Sequence, residues 1–156
     1  MKMKKLNRKG FTLVELLAVI IILAVVVGIT IPTILTTTAN AKKKAFETAA
    51  ATAADWFDRQ YQSYLIGNPD LSQYDDMFVE LFIDTNNKTA KLIEGEKIEA
   101  TESTNTKLIQ KAGLSTKNVS KMEVTFNGAG RSCVIITAKA GGDYPSGKTA
   151  QGGNCD

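Results

Sequence analysis

From Leu16 to Ile29 every residue is apolar or glycine, and a single carboxylate, Glu15, stands at the entrance of that run. No soluble helix of a chain this short can bury an all-round apolar surface of that length. The segment Phe11–Ile31 has 21 residues. At a rise of about 1.5 Å per residue it would span roughly 30 Å, the thickness of a bilayer's hydrocarbon core. Five of the 19 cations (Lys2, Lys4, Lys5, Arg8 and Lys9) precede it, with no acid among the first ten residues. Such a basic flank stays on the cytoplasmic side. The remainder carries 14 cations against 16 acids. The basic character is therefore that of the leader, and it predicts no specific nucleic-acid partner.

A basic leader and a long apolar run admit a removable secretory signal, with Ala39-Asn40-Ala41 as its cleavage site and Lys42 opening a soluble binding domain. They also admit a permanent single-span anchor. The apolar run exceeds the length of an ordinary signal. Neither reading gives Glu15 a purpose, although acids inside membrane spans are as a rule partnered and functional.

Gly10-Phe11-Thr12-Leu13-Val14-Glu15-Leu16, with the basic leader before it and the apolar run after it, resembles the N-terminal signature of type IV prepilins and their pseudopilin relatives. The likeness covers roughly residues 5 to 35 and leaves the rest unassigned. It implies cleavage after Gly10 by a prepilin peptidase, N-methylation of Phe11, and assembly by pilus machinery in the membrane. It also implies that Glu15 meets the N-terminal amine of a neighbouring copy. Physical chemistry supports the last point. Phe11 and Glu15 stand at i and i+4, and a buried unpaired carboxylate costs far more than a paired one. Glu15 would then set the axial register of subunits, with affinity left to apolar packing. The plainer alternative is an interfacial acid satisfied by water and its own N-terminus.

Pro32 has no N–H to offer the carbonyl of Gly28, and the residues around them are rich in β-branched side chains. A kink is expected at Gly28–Pro32, with local extension once lipid is exchanged for a filament. Lys42-Lys43-Lys44 marks the outer membrane surface. Beyond it Phe46, Ala49, Ala50, Ala53, Phe57, Tyr61, Tyr64 and Leu65 recur at helical spacing. Asp55 and Arg59 are spaced for an ion pair on the opposite face. Trp56 and the tyrosines belong to a core rather than to a ligand platform. Gly67-Asn68-Pro69 ends the helix.

After that stop, "LSQYDDMFVELFID" reads as a short helix with Ser72 near its start and Asp75 three residues on. "TNTKLIQKAG" reads as another, closed by Gly113. Ala90–Ile93 is a candidate strand. "NVSKMEVTF" alternates imperfectly through Val119, Met122, Val124 and Phe126. "SCVIITAKA" reads as a buried strand, and Asn127-Gly128-Ala129-Gly130-Arg131 joins the two as a hairpin. The glycine-rich tail reads as a loop. Cys133 and Cys155 are either a disulfide closing it, as the resemblance and an exported setting imply, or two free thiols.

Other patterns lack the chemistry they suggest. Asp84-x-Asn86-x-Lys88 opens like a calcium loop but places a cation where an oxygen is needed. Glu94, Glu96, Glu99 and Glu102 read as a solvated face. Gly128-x-Gly130 lacks the third glycine and the helix of a phosphate cradle. The two glycosylation sequons, at Asn87 and Asn118, are short enough to arise by chance. Without histidine, and with the two cysteines paired as the resemblance implies, no nucleophile–base pair, metal site or cofactor is expected.

The expected architecture is therefore α+β, a long N-terminal helix with a small antiparallel sheet head on its C-terminal half. The divisions are a leader at 1–10, an apolar stem at 11–41, its amphipathic continuation at 42–67, and a head at 68–156. The expected role is that of a non-enzymatic pilus subunit, first held in the cytoplasmic membrane with its N-terminus inside, later part of a surface fibre built from its own copies. The alternatives are a pseudopilin or minor pilin of a secretion or DNA-uptake machine, or a binding domain that never polymerises.

Overall fold

The computed structural model describes residues 10–66, 71–87, 89–91 and 95–155. In chain order these form helix α1 (Leu13–Leu65), a 3-10 turn (Leu71–Gln73), helix α2 (Asp76–Phe82), strands β1 (Ile83–Asp84), β2 (Thr89–Ala90) and β3 (Lys97–Thr101), helix α3 (Thr106–Lys111), and strands β4 (Val119–Phe126), β5 (Ser132–Ala138) and β6 (Thr149–Gly153). The architecture is the expected α+β. A four-stranded antiparallel sheet, in the order β3-β4-β5-β6, packs against α1, and β1 and β2 make a separate small ladder. Two compact units, Met1–Ala39 and Asn40–Asp156, are described in turn.

In the first unit every described residue is exposed, large apolar side chains such as Val14, Leu16, Ile20 and Ile29 included. Its most apolar 18-residue window has a mean hydropathy of 3.0, which makes the helix apolar enough to cross a membrane. The threonines do not disturb that character. Thr30, Thr37 and Thr38 donate their hydroxyls to the carbonyls of Val26, Thr33 and Ile34, at 2.9, 2.8 and 2.8 Å. Hydroxyls bonded back in this way leave no donor to be desolvated. Helical structure continues through Gly28 and Pro32 in the single chain; the extension is expected only in a filament.

In the second unit α1 buries Phe46, Ala50, Ala53, Phe57 and Tyr61, as the spacing predicts, together with Ala54. Lys42, Lys43 and Lys44 are exposed, and Lys43 lies 3.8 Å from Glu47. Asp55 and Arg59 are exposed and form no ion pair with each other. In water such a pair is worth little and competes with solvation. The aromatic residues form a core, as expected. Phe57 meets Phe82 and Phe126 edge-on at 5.7 and 6.3 Å, and Tyr61 stacks on Phe126 at 4.4 Å. Contacts of this kind add about 0.5–1.5 kcal/mol each beyond the area they bury. The expected stop at Gly67-Asn68-Pro69 lies outside the described residues.

The first short helix begins later than its sequence suggests. Leu71–Gln73 is a 3-10 turn, and Asp75 is the cap rather than a residue of the first turn. Its carboxylate accepts the N–H of Met77 at 3.0 Å and is held by Lys111 at 2.8 Å. Aspartate in extended backbone is among the best caps, and here it outcompetes Ser72. Helix α3 matches expectation. Gly113, at φ 81°, ends it in the left-handed conformation, and the N–H of Leu114 bonds the carbonyl of Ile109.

The β4–β5 hairpin is present in the expected place. Val119, Met122, Val124 and Phe126 are all buried, and a register shift between Val119 and Lys121 accounts for their uneven spacing. Strand β5 is not buried on both sides. Ser132, Val134, Ile136 and Ala138 face the core, while Cys133, Ile135 and Thr137 are half-buried. The tail is not all loop, since Thr149–Gly153 forms β6 against β5. Of the acidic run, Glu96, Glu99 and Glu102 are exposed, as a solvated face requires, while β3 passes through it and buries Ala100. Of the candidate strand at Ala90–Ile93, Ala90 belongs to β2; Leu92, Ile93 and Glu94 lie outside the described residues.

Two anchors join the sheet to α1. Asp58 accepts the N–H of Ser132 at 2.6 Å and reaches Arg131 at 3.3 Å. The buried Ser132 hydroxyl lies 2.6 Å from Asp58 and 3.0 Å from the Ala54 carbonyl, and its one proton serves either. The second anchor is steric. A Cβ built on Gly152 would lie 2.2 Å from the Ala50 carbonyl group, so β6 reaches the helix only as bare backbone. Gly152→Ala is therefore expected to destabilise the head by about 1–3 kcal/mol or more through overpacking. A denaturation midpoint in detergent equal to that of the parent chain would refute the close approach.

On the sheet's outer face Lys121 bridges Glu99 and Glu123, both at 2.9 Å, and Lys97 reaches Glu123 at 2.8 Å. Hydrogen bonds from Lys97 and then Lys121 hold the Glu123 carboxyl below the usual carboxylate range. A carboxyl lowered on folding adds stability above its unfolded pKa and loses it as pH falls through the folded value. The head should thus weaken on acidification, and Glu123→Gln should flatten that acid limb. An acid limb unchanged by the substitution would show that this ladder contributes nothing.

Candidate processing and assembly site

Gly10 and Phe11 precede the first helical residue, and the Phe11 side chain is 92% exposed. The junction expected to be cleaved is thus open backbone, suited to a protease. Helix α1 starts at Leu13 because Thr12 caps it. The Thr12 N–H and hydroxyl donate to Glu15 Oε2 at 2.8 and 2.9 Å, and the Glu15 N–H donates to Thr12 Oγ1 at 3.2 Å. This is a capping box, in which two helix-end donors are satisfied reciprocally.

The arrangement revises one expectation. Phe11 lies outside the helix, so the i,i+4 relation does not bring it onto the face of Glu15 in this chain. Thr12 holds the carboxylate instead. It engages only one oxygen, and Glu15 Oε1 has no hydrogen-bond partner among the described residues. The sequence reading overlooked Thr12, although Thr-x-x-Glu ahead of an apolar run is itself a legible cap signal. An acid in the first turn also faces the positive end of the helix dipole. The leader cations Lys2, Lys4, Lys5, Arg8 and Lys9 lie outside the described residues.

Cys133 and Cys155 form a disulfide with Cα atoms 4.7 Å apart. The strand pairing explains it. Cys133 opposes Gly153 across β5–β6, and the Asn154 N–H bonds the Ser132 carbonyl, which returns Cys155 to β5. The bond ties the chain end over a separation of 22 residues, for which loop entropy gives about 3 kcal/mol.

The candidates set aside on sequence grounds have structural explanations. Asp84 accepts the N–H groups of Asn86 and Asn87 at 2.9 and 3.3 Å, a turn between β1 and β2, and these bonds hold its carboxyl below the usual range. Lys88 lies outside the described residues. Among the described residues, no cluster of three or more histidine, cysteine or acidic side chains could hold a metal ion. Asn118 is engaged with Asp143, whose N–H it accepts at 3.1 Å and whose carboxylate it reaches at 3.2 Å.

Comparison with known proteins bears on the N-terminal segment alone. No curated protein and no solved structure matches the chain. Residues 5–31 match the prokaryotic N-terminal methylation motif, a stretch that includes the Gly10–Phe11 junction, Thr12, Glu15 and Gly28. The chain therefore carries the signature of type IV pilin-like prepilins, which as a family are structural rather than enzymatic proteins, on a helix long and apolar enough to cross a membrane.

Proposed function

We propose that the chain is the precursor of a type IV pilus subunit, cleaved between Gly10 and Phe11 and polymerised through its N-terminal helix. The observation that carries this reading is the pairing of the methylation motif with a stem whose apolar side chains are all exposed. Such a surface requires lipid or other stems around it. The proposed parts are a leader at 1–10, a stem at 11–41, its continuation at 42–67 and a head at 68–156. Before assembly the chain sits in the cytoplasmic membrane with its N-terminus inside, and afterwards in a surface fibre of its own copies. Prepilin peptidase and the membrane assembly machinery are its partners.

Cleavage creates an ammonium on Phe11, next to the capping box. The open Oε1 of Glu15 is an acceptor for the corresponding group of a neighbour, while Oε2 stays with Thr12. In a packed stem core an unmatched carboxylate is strongly disfavoured, so subunits out of axial register are rejected. The proline at 32 and glycine at 28 are the proposed place where the stem yields on leaving lipid for the fibre. A pseudopilin or minor pilin would use the same stem, whereas a non-polymerising secreted or anchored domain would use Glu15 only as a helix cap and leave its Oε1 unmatched.

The register role has a direct test in cells. Glu15→Ala and Glu15→Gln should leave membrane insertion intact and abolish fibres. Thr12→Ala, which removes the cap hydroxyl but not the charge, should still yield fibres. Normal fibres from Glu15→Ala would contradict the role assigned to this carboxylate.

A further inference from the structure

The tip of the β4–β5 hairpin combines three features that together are reactive. Asn127 is the only asparagine in the sequence followed by glycine. Its carboxamide oxygen Oδ1 accepts two backbone N–H groups, from Ala129 at 3.1 Å and Arg131 at 2.9 Å. Gly128 is exposed, and its own N–H makes no hydrogen bond among the described residues. The nucleophile, the electrophilic carbon and a pair of donors aimed at the carbonyl oxygen thus share one turn.

We propose that Asn127 is a site of spontaneous deamidation through a cyclic imide with Gly128. The Gly128 nitrogen, having given its proton to water or hydroxide, attacks Cγ of Asn127. Negative charge gathers on Oδ1, where the Ala129 and Arg131 N–H groups stabilise it as an oxyanion hole would. The carboxamide nitrogen takes a proton from water, the Cγ–N bond breaks as Oδ1 re-forms its carbonyl, and ammonia leaves, giving a succinimide. Water opens the ring at either carbonyl and restores a peptide bond, through the α-carbonyl as aspartate or through the side chain as isoaspartate. No oxidant or cofactor is required. Glycine matters because a side chain at 128 would crowd the attacking nitrogen.

The products differ in what they do to the head. Aspartate keeps the main chain and accepts the same two N–H groups as a charged acceptor, which strengthens them. Isoaspartate adds a methylene to the main chain. It thereby displaces the Asn127 carbonyl that Gly130 N–H bonds at 2.8 Å and the Asn127 N–H that bonds Arg131 at 3.0 Å. Arg131 also anchors the sheet to α1 through Asp58. Isoaspartate formation therefore loosens the hairpin end at that anchor, whereas aspartate only adds a negative charge.

The test incubates the folded, detergent-solubilised chain at mildly alkaline pH in heavy-oxygen water, with circular dichroism showing that it stays folded. Cleavage after Lys121 and Arg131 then releases Met122–Arg131, in which Asn127 is the only asparagine. This peptide should acquire the mass of an acid carrying one heavy oxygen and split into two chromatographic forms, while peptides holding Asn105 and Asn118 remain unchanged. Gly128→Ala should slow the conversion severalfold; Gly128 does not have a positive φ, so the turn tolerates alanine. Conversion only after unfolding in denaturant, or no faster than at Asn118, would overturn the proposal.

Discussion

A carboxylate at the mouth of an apolar helix has to be satisfied, and the account of this protein depends on how that is done. Thr12 gives Glu15 two hydrogen bonds to one oxygen and receives one in return. The helix thereby gains a defined start at Leu13, and Gly10–Phe11 is left outside it as accessible backbone. A negative charge is held at a fixed position on an otherwise uncharged stem. A cap that leaves one carboxylate oxygen open can serve the isolated chain and remain an acceptor in an assembly. The same geometry thus accounts for the acid in the monomer and suits the role proposed for it between subunits.

The head solves a different problem, that of seating a small sheet on one helix. Alanine supplies much of the answer on α1, where Ala50 and Ala54 let the backbone of Gly152 and Gly153 approach. Gly152 supplies it on β6, with its α-carbon against Ala50. Large aromatic residues fill the wider end, around Phe57 and Tyr61. Asp58 and Ser132 then fix the position of β5 along the helix by hydrogen bonds in a partly dry environment, where they are stronger than in water. The disulfide ties the chain just beyond the last strand to its neighbour.

Much of this was legible in the sequence, and what was not has identifiable causes. The stem, the helical stripe and the β4–β5 hairpin announce themselves through apolar periodicity. Strand β3 hides in Lys97–Thr101 because it is short: Ile98 and Ala100 are its only inward apolar residues, one alternation set among charged neighbours. Strand β6 hides because Thr149–Gly153 contains two glycines, which propensity assigns to loops; Gly152 is required by Ala50, a hundred residues away in the chain, and Gly153 by the Ser132 carbonyl. Nothing local to Asp58 reveals that Ser132 will face it. The Thr12 cap, by contrast, was readable from local spacing and was passed over in favour of a long-range partner for Glu15.

The central claim is that the leader is removed and that the stem then begins at Phe11. The intact mass of the chain recovered from sheared surface fibres tests it most directly. The account predicts a mass beginning at Phe11 with one added methyl group. A chain still beginning at Met1, or one beginning at Lys42, would contradict it, because neither could present an amine beside Glu15.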